Sequence, residues 1–244
     1  FKERFSFFIQ KFSNIDKILE NKKVDAIIFD LGISSIQLLN MSRGFSFKSK
    51  DNLDMSMGLS SLSAKEILNN YDENYLKLIL KVLGEEKEAS TIVKNIIKAR
   101  KLKEITKVSE LVAIIEKSKK KNYKKKINVC TKTFQALRIF VNKEVTELIE
   151  GMIKATQHIK PGGKIIMISF HSIEDKIIKF YFRNYANNKS NPSRYSPEVK
   201  KKKVIFFENY RNNIIKPSQE EILANPPSRS AKLRYVIRNH ENFE

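Results

Sequence analysis

Residues 24–57 hold the densest run of groups able to do chemistry. The apolar run Val24 to Phe29 ends on an acid, Asp30, and breaks at Gly32. Ser34, Ser35 and Gln37 follow, then a second glycine turn at Arg43-Gly44 with Phe45 and Phe47 beside it. A buried strand that stops on a carboxylate and opens into a Gly/Ser loop is where open α/β sheets bind ligands. Core packing alone requires no such series of polar groups at a strand end. Three later segments are of the same kind. Thr131-Lys132-Thr133-Phe134-Gln135-Ala136-Leu137-Arg138 opens an amphipathic helix. Pro161-Gly162-Gly163 precedes an apolar run that leads into Ser169-Phe170-His171-Ser172-Ile173-Glu174-Asp175. Asn225-Pro226-Pro227-Ser228-Arg229-Ser230-Ala231-Lys232-Leu233-Arg234 completes the set.

The elements that must position these groups alternate in an α/β pattern. Phe5 to Ile9 and Val24 to Phe29 read as strands, with a short helix between them capped by Ser13 or Asn14. From about residue 46 to 128 the pattern is helical. Ser63 and Glu66 have capping-box spacing. Asp72 to Leu83 is a helix closed by Gly84, and Glu85 to Arg100 repeats the helical period. Thr106 caps a fourth helix carrying Val108, Leu111, Val112 and Ile115. No strand pattern interrupts these four, so 46–128 is expected to be an inserted helical domain. The remainder, 1–45 with 129–244, forms the second domain. One helix is expected from Thr133 to about His158, with Phe134, Leu137, Val141, Val145, Leu148 and Met152 on one face. Lys164 to Phe170 is a strand after a glycine turn, and Ser172 caps the next helix with Asp175 three residues on. Val204–Phe207 and Leu233–Ile237 read as late strands.

Composition narrows the partners. Lys and Arg number 47 against 27 Asp and Glu, a net charge of +20, which is the footprint of a polyanion binder. An abundance of Lys, Asn and Ile also fits an AT-rich genome, and both causes contribute. The run Lys117 to Lys126 reads as a solvated loop that still attracts RNA. Cys130 is the only cysteine, which excludes a disulfide framework and a cysteine-based zinc site, and no metal site is expected. No apolar run is long enough for a membrane span. The oligomeric state is not legible.

In this order, the four segments resemble the ribosomal RNA small subunit methyltransferase H family (MraW-type), over about Phe5 to Arg238. The resemblance implies a Rossmann-like methyltransferase fold in the cytoplasm. It also implies S-adenosylmethionine as methyl donor and N4 of a cytidine in the decoding region of 16S rRNA as target. The family assigns the positions matching Phe12, Asp30 and Gln37 to the cofactor, and Asp30 is also the candidate catalytic group. Cytosine N4 is a poor nucleophile because its lone pair is conjugated into the ring. The protein must hold it in line and accept its hydrogen bonds as positive charge develops. An acid at a strand end suits that role.

Arg43, Arg138, Arg229 and Lys232, with Lys48 and Arg234, are candidate phosphate contacts. Phe45 and Phe47 are candidate platforms for an unpaired base. His171 is given a substrate-positioning role. For Phe12, Phe45 and Phe47 a core role is equally readable, and ordinary surface charge competes for each basic residue. The family's opening strand with its Gly-Gly-His-Ser loop has no counterpart here, so the domain is expected to be N-terminally incomplete. Asn128-Val129 stands where the family tends to have His-Pro, and Pro227 where it tends to have Arg. Two rivals remain open: a non-catalytic ribosome-assembly protein, and methylation of DNA or protein.

Overall fold

The computed structural model describes residues 4–34, 37, 41–58, 61–119, 128–186, 204–208, 210–212 and 214–240. The basic stretch 120–126 and the expected loop 187–203 therefore lie outside the described residues. The chain divides into two compact units, 1–32 with 146–244, and 33–145. These limits differ from the expected 46–128 insertion, because the helix that begins at Thr131 packs with the helical unit.

The first unit is a mixed α/β layer. Three strands, β1 (Val24–Asp30), β2 (Ile159–Ser169) and β3 (Lys232–Ile237), lie in that order, β1 parallel and β3 antiparallel to β2. Ile27 pairs with Ile165, Phe29 with Met167 and Asp30 with Ile168. Pro161-Gly162-Gly163 is not a turn before the strand. It sits within β2 as an irregularity, where the register jumps between Val24↔Ile159 and Ala26↔Lys164. Alternation buries Ile27, Phe29, Ile165, Met167 and Val236 on one face with Leu148, Met152, Ile178 and Phe182. On the other face Ile28 is 64% exposed.

The first unit also holds α1 (Ile15–Leu19), most of α7 (Glu144–His158), α8 (Ser172–Tyr185) and α9 (Gln219–Ala224). One side chain ties this layer together. Arg234 is 2% exposed in the middle of β3. Its Nε donates to Asp175 Oδ1 on α8 at 2.7 Å, and its Nη1 donates to Tyr210 Oη at 2.7 Å and Asn212 Oδ1 at 2.9 Å. Lys232 Nζ donates to the other Asp175 oxygen at 3.1 Å. A buried guanidinium is tolerable only with such partners. Burial alone would raise the Asp175 carboxyl, but the hydrogen bonds from Arg234 and Lys232 win and hold it below its ordinary value.

The second unit is helical. It holds α2 (Ala64–Asn70), α3 (Glu73–Leu83), α4 (Ala89–Leu102), α5 (Val108–Ser118) and α6 (Thr131–Val141) around a core of Ile67, Leu80, Ile92, Ile96, Leu111 and Leu137. The capping box at Ser63 and Glu66 is present, as is the Asp72 cap of α3. Gly84 closes α3, and α4 begins only at Ala89. Thr106 does not cap α5. The Glu110 carboxylate instead accepts the backbone N–H groups of Thr106 at 2.8 Å and Lys107 at 2.9 Å. With Lys103 these bonds pull its carboxyl down to about 2.

Four further expectations are corrected. Phe5 to Ile9 forms no strand, and Phe5, Phe7, Phe8 and Ile9 are exposed. Aromatic composition favours a strand only where a ladder partner exists, and none pairs here among the described residues. The single helix Thr133–His158 is two helices, broken at Asn142 and at Lys143, whose φ is +53°. The Asn142 side chain accepts from Met57 N at 2.7 Å and donates to Met55 O at 2.8 Å, and these tertiary bonds override helix continuation. Val204–Phe207 forms no strand; Phe207 makes isolated bridges to Ala186 and Arg238, and Phe206 N donates to Tyr185 O at 2.8 Å. Asn14 stands at the N-cap of α1 without a side-chain cap bond.

Removing one partner of the Arg234–Asp175 pair should be costly. Asp175→Ala is expected to lower unfolding free energy in urea by about 3–5 kcal/mol, because the guanidinium stays buried unpaired. The native ion pair stabilises fully above the unfolded carboxyl value of 3.8 and is lost as pH falls through the lower folded value. Melting temperature should therefore drop below about pH 4, and Asp175→Asn should lack that component.

Candidate active site

The C-terminal ends of the parallel pair β1 and β2 are where the sheet offers polar groups. Asp30 is the last residue of β1 and is exposed. The ladder continues one bond further, from Leu31 N to Ile168 O at 3.0 Å. Gly32 then turns the chain at φ +93°, a left-handed conformation that favours glycine, beside the Phe170 ring. Among the described residues the Asp30 side chain has no partner, while the backbone on either side of it is fixed.

Phe12 lies on the same unit, 39% exposed, with its ring edge-on to Phe29 at 5.6 Å between centroids. Its seat is built by one face of α7. Glu147 pairs with Lys11 at 3.2 Å, Gly151 lies under the Phe12 ring, and Lys154 donates to Ser13 O at 2.6 Å and to Asp16 at 3.0 Å. The Lys154 hydrogen bond holds the Asp16 carboxyl below its ordinary value. Positions 147, 151 and 154 are spaced four and three apart, so they share one helix face. That spacing is the sequence signal for this docking face, and the apolar stripe of the same helix masks it. Phe12 thus offers a part-exposed ring on the α7 side of the sheet, against Phe29, while alternation turns the Asp30 carboxylate away from that face.

His171 occupies a structural post. It, and not Ser172, is the N-cap of α8, with Nδ1 accepting from Glu174 N at 3.4 Å. Glu174 returns the bond by accepting from Phe170 N at 3.0 Å and His171 N at 3.4 Å. His171 Nε2 is buried and lies 3.1 Å from Glu174 Oε1, close enough for a charge contact but off the hydrogen-bond line. Asp175, expected as the capping acid, turns inward to Arg234. Lys232 is drawn to Asp175, and Arg234 is buried, so neither is free for phosphate. Arg229 is exposed in the short turn Pro226–Ser230.

The remaining candidates belong to the helical unit. Gln37 accepts from Ser34 N at 3.0 Å, and Ser34 Oγ accepts from Gln37 N at 3.2 Å, a local turn of its own. Arg43 donates to Ser56 O at 2.7 Å and lies over the Phe45 ring at 5.8 Å. Phe45 is buried and Phe47 packs edge-on against Phe134, so both aromatics serve the core instead of offering a base platform. Arg138 makes a two-pronged pair with Glu144, at 2.8 and 2.9 Å, which removes it from the phosphate contacts expected of it. Lys48 is exposed.

Gly151→Ala tests the seat of Phe12, since an added Cβ would meet the ring at 2.8 Å. The variant should lose about 1–3 kcal/mol in urea unfolding. The loss should be less than additive with Phe12→Ala, which removes the obstructing ring.

Comparison with known proteins gives this geometry a family. The model of the MraW methylase family matches residues 1–239. The ribosomal RNA small subunit methyltransferase H of Ehrlichia canis (strain Jake) is 41% identical over 242 residues, covering 98% of this chain and 78% of that protein. The protein of the same name from Ehrlichia chaffeensis (strain ATCC CRL-10679 / Arkansas) is 42% identical over 245 residues, with the same coverage. That from Bartonella grahamii (strain as4aup) is 39% identical over 228 residues, covering 93% of this chain and 68% of that protein. With a family match across nearly its whole length and an acid exposed at the end of its parallel strands, this chain belongs to the MraW methylase family, and is a methyltransferase.

Proposed function

We propose that this enzyme methylates N4 of a cytidine in the decoding region of 16S rRNA, on the small ribosomal subunit in the cytoplasm, with S-adenosylmethionine as donor. The observation that carries the reading is Asp30, an exposed carboxylate at the C-terminal end of a parallel pair. The names of the related proteins support an rRNA substrate. No helix among the described residues is long and apolar enough to cross a membrane. We read the sheet unit as a Rossmann-like methyltransferase layer and the helical unit, inserted after β1, as the part that recognises substrate.

The donor supplies a methyl group activated on a sulfonium, so no acid is needed to assist the leaving group. On the sheet unit, Phe12 and Asp30 are the residues that would help to hold it. The protein's own task lies at the amine. Asp30 accepts a hydrogen bond from the N4 amine, which fixes its direction and localises its lone pair. As the new bond forms, positive charge grows on N4 and the carboxylate stabilises it. The amine then gives up one proton, to the Asp30 oxygen or to solvent beyond it. His171, committed to Glu174 and the start of α8, contributes position alone. Arg229, Arg43 and Lys48 remain the candidates for contact with the RNA backbone.

Asp30→Ala should lower methylation of small-subunit rRNA by at least about 100-fold, with little change in melting temperature because the side chain is exposed. Nucleoside mass spectrometry of the product should give N4-methylcytidine. Near-normal turnover by a folded variant, or methyl at another atom, would sink the reading.

A further inference from the structure

Helix α4 contains four basic residues and no acid. They divide by direction. Arg100 points inward, donating to Leu68 O at 2.8 Å and Tyr71 O at 2.7 Å, where it satisfies carbonyls at the end of α2. Ala89, Ile92, Val93 and Ile96 are buried in the helical core. Asn95 turns to Ser118 of α5 at 2.8 Å. Ser90 and Leu102 are also exposed, and the rest of the solvent side is one stripe, Thr91, Lys94, Lys98 and Lys101.

A solvated helix face ordinarily mixes signs, because i,i+4 pairs of opposite charge stabilise and like pairs destabilise by a few tenths of a kcal/mol. The same unit follows that practice elsewhere. Lys65 pairs with Glu104, Lys77 with Glu73, and Lys103 with Glu110. Lys94, Lys98 and Lys101 have no acidic partner among the described residues. Lys101, in the last turn, is favoured by the helix dipole, but Lys94 and Lys98 are like charges one turn apart and cost the helix stability.

We propose that the Thr91, Lys94, Lys98 and Lys101 stripe of α4 is a docking ridge for the sugar-phosphate backbone of RNA. The inference rests on the rRNA reading and adds to it a surface that takes the strand. At 1.5 Å rise per residue the three lysine positions span about 10 Å along the helix, enough for each ammonium to meet a separate phosphate of one strand. Lysine ammoniums act on phosphates as mobile point charges and carry no base recognition. The stripe therefore sets how tightly and in which register RNA lies on the helical unit, and leaves the choice of base to the site at Asp30. The chain's excess of 47 basic over 27 acidic residues supplies the long-range attraction, and the stripe localises it.

The test is the whole chain carrying Lys94→Gln, Lys98→Gln and Lys101→Gln. Its control carries Lys22→Gln, Lys23→Gln and Lys164→Gln, three exposed lysines of the sheet unit. Binding of a short single-stranded RNA and of naked small-subunit rRNA is measured between about 50 and 200 mM salt. The stripe variant should reduce the slope of log affinity against log salt by about two, at about 0.7 per phosphate, and the control by much less. With rRNA as substrate, the stripe variant should raise KM and leave kcat unchanged. Equal slopes for stripe variant, control and wild type overturn the ridge while the rRNA reading stands. Equal reductions in both variants also overturn it, since the charge would then act only as a general field. A loss confined to assembled subunits, with naked RNA bound normally, assigns the face to an acidic protein and overturns it too. A wild-type chain without salt-dependent RNA binding overturns both the ridge and the reading beneath it. Glutamine is a good helix former, so the stripe variant should keep its melting temperature.

Discussion

Parallel strands cannot be joined by a tight turn, so the pairing of Val24–Asp30 with Ile159–Ser169 demands a crossover between them. In this chain the crossover contains the helical unit, residues 33–145, and then α7. The ladder has two consequences at once. It brings Asp30 to the same end of the sheet as Ser169 and Phe170. It also leaves the segment after Asp30 free to leave the layer. Asp30 and the start of the helical unit are therefore set by one register. A slip by one residue would send Ile27 and Phe29 to the open face.

Buried charge is used sparingly and in pairs. Arg234 with Asp175 joins strand, helix and the segment at Tyr210 in the sheet unit. In the helical unit Glu86 is buried, takes a 2.6 Å ion pair from Lys119 and a hydrogen bond from Thr133 at 3.2 Å. Lys119 also donates to Val129 O. These bonds join the residue after α5 to the segment before α6. In both places burial alone opposes the charge, and the arrangement survives because each charged group has more than one partner.

Much of this was legible in the sequence where the information was local. The strand ending on Asp30 was marked by an apolar run and a glycine. The helices of the second unit were marked by apolar period, by Ser63 with Glu66 and by Asp72. What could not be read depended on distant partners. Nothing near Asn142 reveals that Met55 and Met57 will claim its amide. Ser172 is the better cap by residue type, yet His171 takes the post because Glu174 can answer its backbone. Arg138, Lys232 and Arg234 carry the same charge in the sequence as any surface residue, and only Glu144 and Asp175 decide that they are committed. Phe45 and Phe47 show the same limit for aromatics.

The divided sheet unit has a consequence for synthesis. Val24–Asp30 emerges from the ribosome long before Ile159–Ser169. At roughly 5–20 residues per second the wait is on the order of ten seconds. The helical unit is continuous in sequence and built of near-neighbour contacts, so it can complete its own core in that interval. During the wait the apolar strand lacks its β2 ladder. The rate-determining event for a mature molecule is then the arrival of a late strand at an early one. Mutations in the helical unit would act on yield chiefly through how soon the intervening chain stops being a flexible loop.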